Sequence, residues 1–173
     1  MLDLARQLDE VLGTLEAVEA PAALIGGLAL AAHGVVRATL DVDFLIDAEA
    51  AARLHERLLQ QGHECLYRSE DAGNYVRGPE RLDFLYAHRP IARKLLAGSE
   101  VRKLLGREVR VIGVEGLIAF KLQALCNDPR RTQDLEDIRA LLRTHHASVD
   151  RVALKGYFEL FSRMDLHDEL LPD

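Results

Sequence analysis

Cysteine is scarce in this chain. Of its 173 residues only Cys65 and Cys126 carry thiols, far apart and outside any CxxC or histidine-cluster spacing. That excludes a disulfide framework and a cysteine-based zinc site, and it fits a reducing cytoplasm. Basic charge is in deficit too, with 22 Lys and Arg against 28 Asp and Glu for a formal net charge of -6. A protein that coats duplex DNA needs an excess of cations against phosphate, so duplex DNA is not an expected partner. No uncharged apolar run is long enough to span a bilayer, and no membrane association is expected. The opening MLDLARQLDEVLG lacks the basic start and unbroken apolar stretch of a signal peptide. Internal repeats, low-complexity tracts and obvious linkers are also missing.

What is present supports a packed core. With 49% hydrophobic and 29% charged residues, the length suits one globular unit better than two. The expectation is a single domain over residues 1–173, with a core at about 22–113 and a helical C-terminal part at about 114–173.

Apolar Leu4, Leu8, Val11, Leu12, Leu15 and Val18 recur at helical spacing behind Asp3, predicting an amphipathic helix from Leu2 to about Val18. Pro21 stops it, and Ala22 to Ile25 reads as a short buried strand running into Gly26 and Gly27. A short helix from Leu28 to His33 follows, closed by Gly34. Residues Thr39 to Ile46 alternate as a strand, then Ala48 to Gln61 reads as a helix. Strands are predicted at His63–Arg68, Tyr75–Arg77 and Arg81–His88, with a turn at Asp71–Asn74. A helical and loop region after Pro90 leads to a strand at Glu108–Ile112, and helices are predicted at about 115–127, 130–145 and 148–163. The order implies an α+β fold: a mixed β-sheet flanked by helices, with a helical C-terminal part.

The chemistry concentrates between residues 25 and 43, which read IGGLALAAHGVVRATLDVD. Asp41 and Asp43 are two apart on one strand, so they share a face at a separation of about 7 Å. A solvated half-strand accounts for such a pair without any function. Asp83 in RLDFLYA changes the balance, because Leu82, Phe84 and Tyr86 alternate to one side and leave Asp83 on the other. If the two strands are neighbours, three carboxylates converge. Hard oxygen donors of this kind suit Mg²⁺, and such a trio can hold two ions roughly 3.5–4 Å apart for in-line phosphoryl displacement. Gly26 and Gly27 read as a tight turn into a helix, or as a place where backbone amides approach a phosphate.

These residues resemble a known family. Ile25-Gly26-Gly27, thirteen residues, then Asp41-Val42-Asp43-Phe44 is similar to the signature of the nucleotidyltransferase superfamily that includes DNA polymerase beta. More closely, GGLALAAHG with Arg37, Thr39 and DVD resembles its minimal AbiEii-like or toxin-type branch. In that branch a third metal acid lies on a later strand, matched by Asp83. A later lysine and an Arg-x-x-Asp-Leu-x-Asp-Ile pattern are matched by Lys121 in GLIAFKLQAL and by Arg131 to Ile138 in RTQDLEDI. The resemblance spans about residues 22–140.

It implies a Mg²⁺-dependent enzyme, with Mn²⁺ as a substitute ion, that transfers NMP from an NTP such as ATP to an acceptor hydroxyl and releases pyrophosphate. The implied metal ligands are Asp41, Asp43 and Asp83, and the implied nucleotide contacts are Gly26, Gly27, Arg37, Thr39 and Lys121. Arg131, Asp134 and Asp137 are implied supports. The acceptor is left open among tRNA, protein and a small molecule. A toxin-type role would bring a cognate antitoxin protein as partner. A non-catalytic nucleotide-binding or regulatory protein that keeps the fold is the alternative.

Several of these residues also have plain structural readings. Lys121, the only charge between Gly116 and Asn127, has the plain reading of a lysine whose stem lies along apolar surface. Asp134 and Asp137 share a helical face, which suits either the positioning of Lys121 or simple solvation. Arg37 suits a phosphate or a nearby acid. His33, in a helix otherwise of Leu and Ala, reads as a core histidine, and His145 and His146 as a helix terminus. From Arg89 to Arg110, seven basic residues face only Glu100 and Glu108. They form solvated faces or a track for RNA, and the shortage of aromatic residues there argues against a base-reading RNA module.

Overall fold

A computed structural model describes residues 3–172. It divides the chain into two compact units, residues 1–32 with 37–112, and residues 33–36 with 113–173.

The first unit opens with α1 (Leu4–Ala17), where the Asp3 side chain accepts a hydrogen bond from the Arg6 amide at 3.0 Å. This N-cap satisfies an amide that the helix itself cannot. Leu8, Val11 and Leu15 recur on one face and are buried, as the spacing predicts. Next come β1 (Ala22–Ile25), the short α2 (Gly26–Ala32), β2 (Asp41–Asp47), a 3-10 turn at Ala48–Ala50 and α3 (Ala51–Gln60). The remaining elements are β3 (Glu64–Arg68), β4 (Ala72–Arg77), β5 (Glu80–Ala87), α4 (Pro90–Ala97), β6 (Glu100–Leu104) and β7 (Arg107–Val111).

All seven strands join one sheet in the order β3-β4-β5-β2-β1-β7-β6. The β2–β5 and β1–β7 pairs are parallel, and the other pairs are antiparallel. Central β2 packs Val42, Phe44 and Ile46 to the core side, where Phe44 stacks on Phe84 of β5 with ring centroids 6.4 Å apart. Alternation then puts Asp41 and Asp43 on the other face of the sheet. The mixed sheet with flanking helices is the architecture that the sequence implies.

Differences from the sequence reading are local. α2 begins at Gly26, two residues early, because Gly26 takes φ +66° and lets the chain turn directly out of β1. The turn expected at Asp71–Asn74 closes earlier: Ser69 Oγ accepts from the amides of Asp71 and Ala72 at 3.1 Å, so β4 starts at Ala72. Strand β6 falls in a segment with no strand prediction. Its residues are mostly exposed, and it is fixed by hairpin pairing to β7 through Leu105 and Gly106, both with positive φ.

The second unit holds α5 (Val114–Asn127), α6 (Thr132–His145), α7 (Arg151–Leu160) and α8 (Met164–Leu170). The last was not expected as a separate helix; Ser162, with φ +54°, ends the preceding turn and lets the chain restart. His33 is buried, its carbonyl accepts from His145 Nε2 at 2.7 Å, and the two rings meet edge to face. Both act in packing. Among the described residues no helix is long and apolar enough to cross a membrane.

Candidate functional site

The parallel pairing of β2 with β5 decides where the acids go. Its register sets Asp41 beside Arg81 and Asp43 beside Asp83. Partners in register point to the same side of a sheet, so Asp41, Asp43, Asp83 and Arg81 share the face opposite Phe44 and Phe84. The antiparallel neighbour β4 adds Asn74 beside Asp83, and Asn74 Nδ2 donates to Asp83 Oδ1 at 2.6 Å.

Burial pushes the Asp83 carboxyl above the usual carboxylate range, and the negative charge of Asp41 adds to the shift. The bond from Asn74 and the guanidinium of Arg81 oppose it only in part. A carboxyl raised in this way is a better proton acceptor than a free one.

Gly26 approaches the acids from β1 and α2. An added Cβ would lie 2.1 Å from Asp43 Oδ2, so only glycine fits against this carboxylate. At Gly27 a Cβ would meet the Thr39 side chain at 2.7 Å. Thr39 Oγ1 in turn donates to the Asp41 carbonyl at 3.3 Å, fixing the approach to β2. Arg37 Nη1 donates to the neighbouring Ala38 carbonyl at 3.1 Å. Thus Gly26, Gly27, Thr39, Asp41, Asp43 and Asp83 are gathered around the β1, β2 and β5 strands of the first unit.

The carboxylates supply hard oxygen donors, the kind a divalent cation takes. Among the described residues no three His, Cys, Asp or Glu side chains are drawn together tightly enough to hold an ion as they stand. One oxygen of Asp83 is engaged by Asn74.

Lys121 has other partners, all in the second unit. Its Nζ lies 2.9 Å from Asp134 Oδ1 and 2.6 Å from Asp137 Oδ2, with all three side chains no more than 8% exposed. Arg131 Nε contacts Asp134 Oδ2 at 2.5 Å, and Gln133 Nε2 donates to Asp137 at 3.0 Å. Burial raises the Asp134 carboxyl, but Arg131 and Lys121 more than offset this and hold it below its ordinary value. The observed role of the lysine is to pin α5 to α6.

Two residues on the acid face escaped the sequence reading. Arg81 lies two before Asp83, so strand alternation alone places it on that face. Asn74 carried no such signal, because Gly73 and Asn74 are weak strand formers and read as a turn. The basic run after Arg89 is largely committed within the first unit: Arg89 lies 3.5 Å from Asp71, Arg102 is 2.9 Å from Glu100, Arg107 is 2.5 Å from Asp9, and Arg110 donates to the Ser99 carbonyl at 2.9 Å.

A seven-stranded mixed sheet flanked by helices, with acids on its central parallel pair, defines the nucleotidyltransferase-like fold, and solved structures share it. The antibiotic-resistance factor ANT(2'')-Ia is 17% identical with a TM-score of 0.72, the match covering 95% of this chain and 96% of that one. An antigenic nucleotidyltransferase-like protein from Paracoccidioides brasiliensis is 18% identical with a TM-score of 0.59, covering 96% of this chain and 91% of that one. The lincosamide antibiotic adenylyltransferase LnuA in its lincomycin-bound form is 15% identical with a TM-score of 0.58, covering 79% of this chain and 94% of that one. No family model matches the chain, and no curated protein matches it. At these identities the likeness establishes the fold.

Proposed function

We propose that this chain is a metal-dependent nucleotidyltransferase that moves NMP from an NTP to an acceptor hydroxyl and releases pyrophosphate. The observation that carries the reading is the register of β2 with β5, which sets Asp43 beside Asp83 with Asp41 on the same face. Mg²⁺, or Mn²⁺ in its place, supplies Lewis-acid stabilisation of the phosphoryl charge when bound. Asp41, Asp43 and Asp83 would hold it through carboxylate oxygens, once Asp83 turns from Asn74.

The remaining roles belong to the chain. Gly26 and Gly27 let backbone amides approach the triphosphate, and Thr39 keeps Gly27 and the Asp41 backbone in place. The acceptor oxygen attacks the α-phosphorus and gives up its proton to a carboxylate of this acid face. The bond from the α-phosphorus to the bridging oxygen breaks, and that oxygen leaves on pyrophosphate. Arg37 serves as a forked phosphate donor. Lys121 pins α5 to α6 through Asp134 and Asp137, with Arg131 bracing Asp134.

For the acceptor, a small hydroxylated molecule is supported by the likeness to antibiotic-modifying enzymes. tRNA and protein remain as acceptors in the toxin-type branch, where a cognate antitoxin would be the partner and the cytoplasm the location. A second reading, a nucleotide-binding regulatory protein that keeps the fold, is favoured by the engagement of Lys121 with two acids. Incubation with labelled NTPs and a cell extract separates the two. Label entering RNA, protein or a small molecule supports the enzyme, and binding without transfer supports the regulator.

A further inference from the structure

The acid face carries one cation to which the transfer chemistry gives no role. Arg81 on β5 stands beside Asp41 of β2, two residues before Asp83. Among the described residues of β4, β5, β2 and β1 that share this face, it is the only basic one.

Its backbone is held firmly. Gln7 of α1 is 2% exposed and donates through Nε2 to the Arg81 carbonyl at 2.7 Å. The side chain, by contrast, is exposed, and among the described residues no hydrogen bond or ion pair takes up its guanidinium. Burial raises the Asp83 carboxyl, and the positive charge of Arg81 pulls against that shift, so the guanidinium lies within Coulombic reach of the acids. A planar fork of N–H donors is therefore presented at the face, carried on a rigid strand and uncommitted.

Strand order says which partner it meets. In the order β5-β2-β1 the acids of β2 separate Arg81 from Ile25, which pairs with Asp43 and runs into Gly26 and Gly27. Two strand spacings, about 10 Å, lie between them. Phosphates held at the glycine turn are thus on one flank of the acids, and Arg81 is on the other. An oxyanion within its reach is one carried over the acids or on their β5 side. Phosphate suits it best, because a phosphate offers a pair of oxygens to the parallel N–H bonds of a guanidinium.

We propose that Arg81 is a phosphate-binding residue of this face, taking the oxyanion of either the α-phosphate of the nucleotide or a phosphodiester of the acceptor. The inference rests on the nucleotidyltransferase reading of the acids.

The test is isothermal titration calorimetry of the whole protein in Mg²⁺ with three probes. The first is α,β-methylene-ATP, which carries the α-phosphate but cannot release pyrophosphate. The second is the dinucleotide ApA, whose single phosphate is a phosphodiester, and the third is pyrophosphate, which belongs to the glycine flank. Arg81→Gln should weaken the first or the second by at least about tenfold, the scale of a hydrogen bond to a charged group, and leave pyrophosphate within about twofold. Whichever probe weakens names the source. Arg81→Lys should recover only part of the loss, since it keeps the charge and gives up the fork. In the parent, the Arg81 Nε–H resonance should shift with that same probe, which decides the matter even if Arg81→Gln fails to fold. Binding of every probe by folded Arg81→Gln as by the parent overturns the proposal and leaves the nucleotidyltransferase reading intact, as does an equal loss of pyrophosphate. If the parent binds neither nucleotide nor pyrophosphate, that reading itself fails, and the proposal falls with it.

Discussion

Asp43 and Asp83 stand directly beside each other across the parallel β2–β5 pair, with Asn74 holding the second carboxylate from β4. Burial raises the Asp83 carboxyl, and the like charge of Asp41 on the same face adds to the conflict.

Stability should therefore respond to Asp83 with a defined sign. A carboxyl whose folded pKa is raised favours folding while it is protonated and opposes it once ionised. Its contribution is lost as pH rises from the ordinary carboxylate range through the raised value. Asp83→Asn keeps a partner for Asn74 and removes the charge. It should raise stability near pH 7 by on the order of 1 kcal/mol, with the gain shrinking in acid. Urea denaturation of both proteins at neutral and acid pH checks this, and a gain that grows toward acid pH would contradict it.

Gly26→Ala should destabilise the fold by about 1–3 kcal/mol, the scale of a strained backbone residue. Two causes combine: φ of +66° and a Cβ placed 2.1 Å from Asp43 Oδ2. A double-mutant cycle separates them. Asp43→Ala should recover the steric part and leave the conformational part, so the two changes should couple favourably. Strict additivity in thermal melts would show that no contact joins them.

Lys121→Met should cost about 3–5 kcal/mol, because it leaves Asp134 and Asp137 buried without their common cation. Replacing all three by apolar residues of similar volume should recover most of the loss. Chemical denaturation provides the measure. A single variant as stable as the parent would mean that the lysine is not a pin between α5 and α6.

Much of this arrangement was legible in the chain. Alternation in DVDFLID and RLDFLYA put Asp41, Asp43 and Asp83 on the faces they occupy, because a period of two follows from the backbone and is indifferent to context. Pairing is another matter. That β2 lies parallel to β5, at a register matching Asp43 with Asp83, depends on contacts distant in sequence, so convergence remained conditional until the sheet was seen. Lys121 shows the same limit. Its isolation among apolar residues flagged it, and the sequence left Asp134 and Asp137 open between positioning it and simple solvation; packing decides for the first. Strand β6 stayed hidden because an exposed edge strand rich in basic residues has no apolar alternation to announce it.

The central claim is that carboxylates aligned across β2 and β5 support metal-dependent transfer of a nucleotide. Its most direct test is transfer of label from α-³²P-labelled NTPs in a cell extract with added Mg²⁺ or Mn²⁺, comparing the parent protein with Asp43→Ala after circular dichroism shows that both are folded. The account predicts labelled product and released pyrophosphate with the parent, lost on chelation of the metal and lost in Asp43→Ala. Transfer that continues undiminished in folded Asp43→Ala would contradict it.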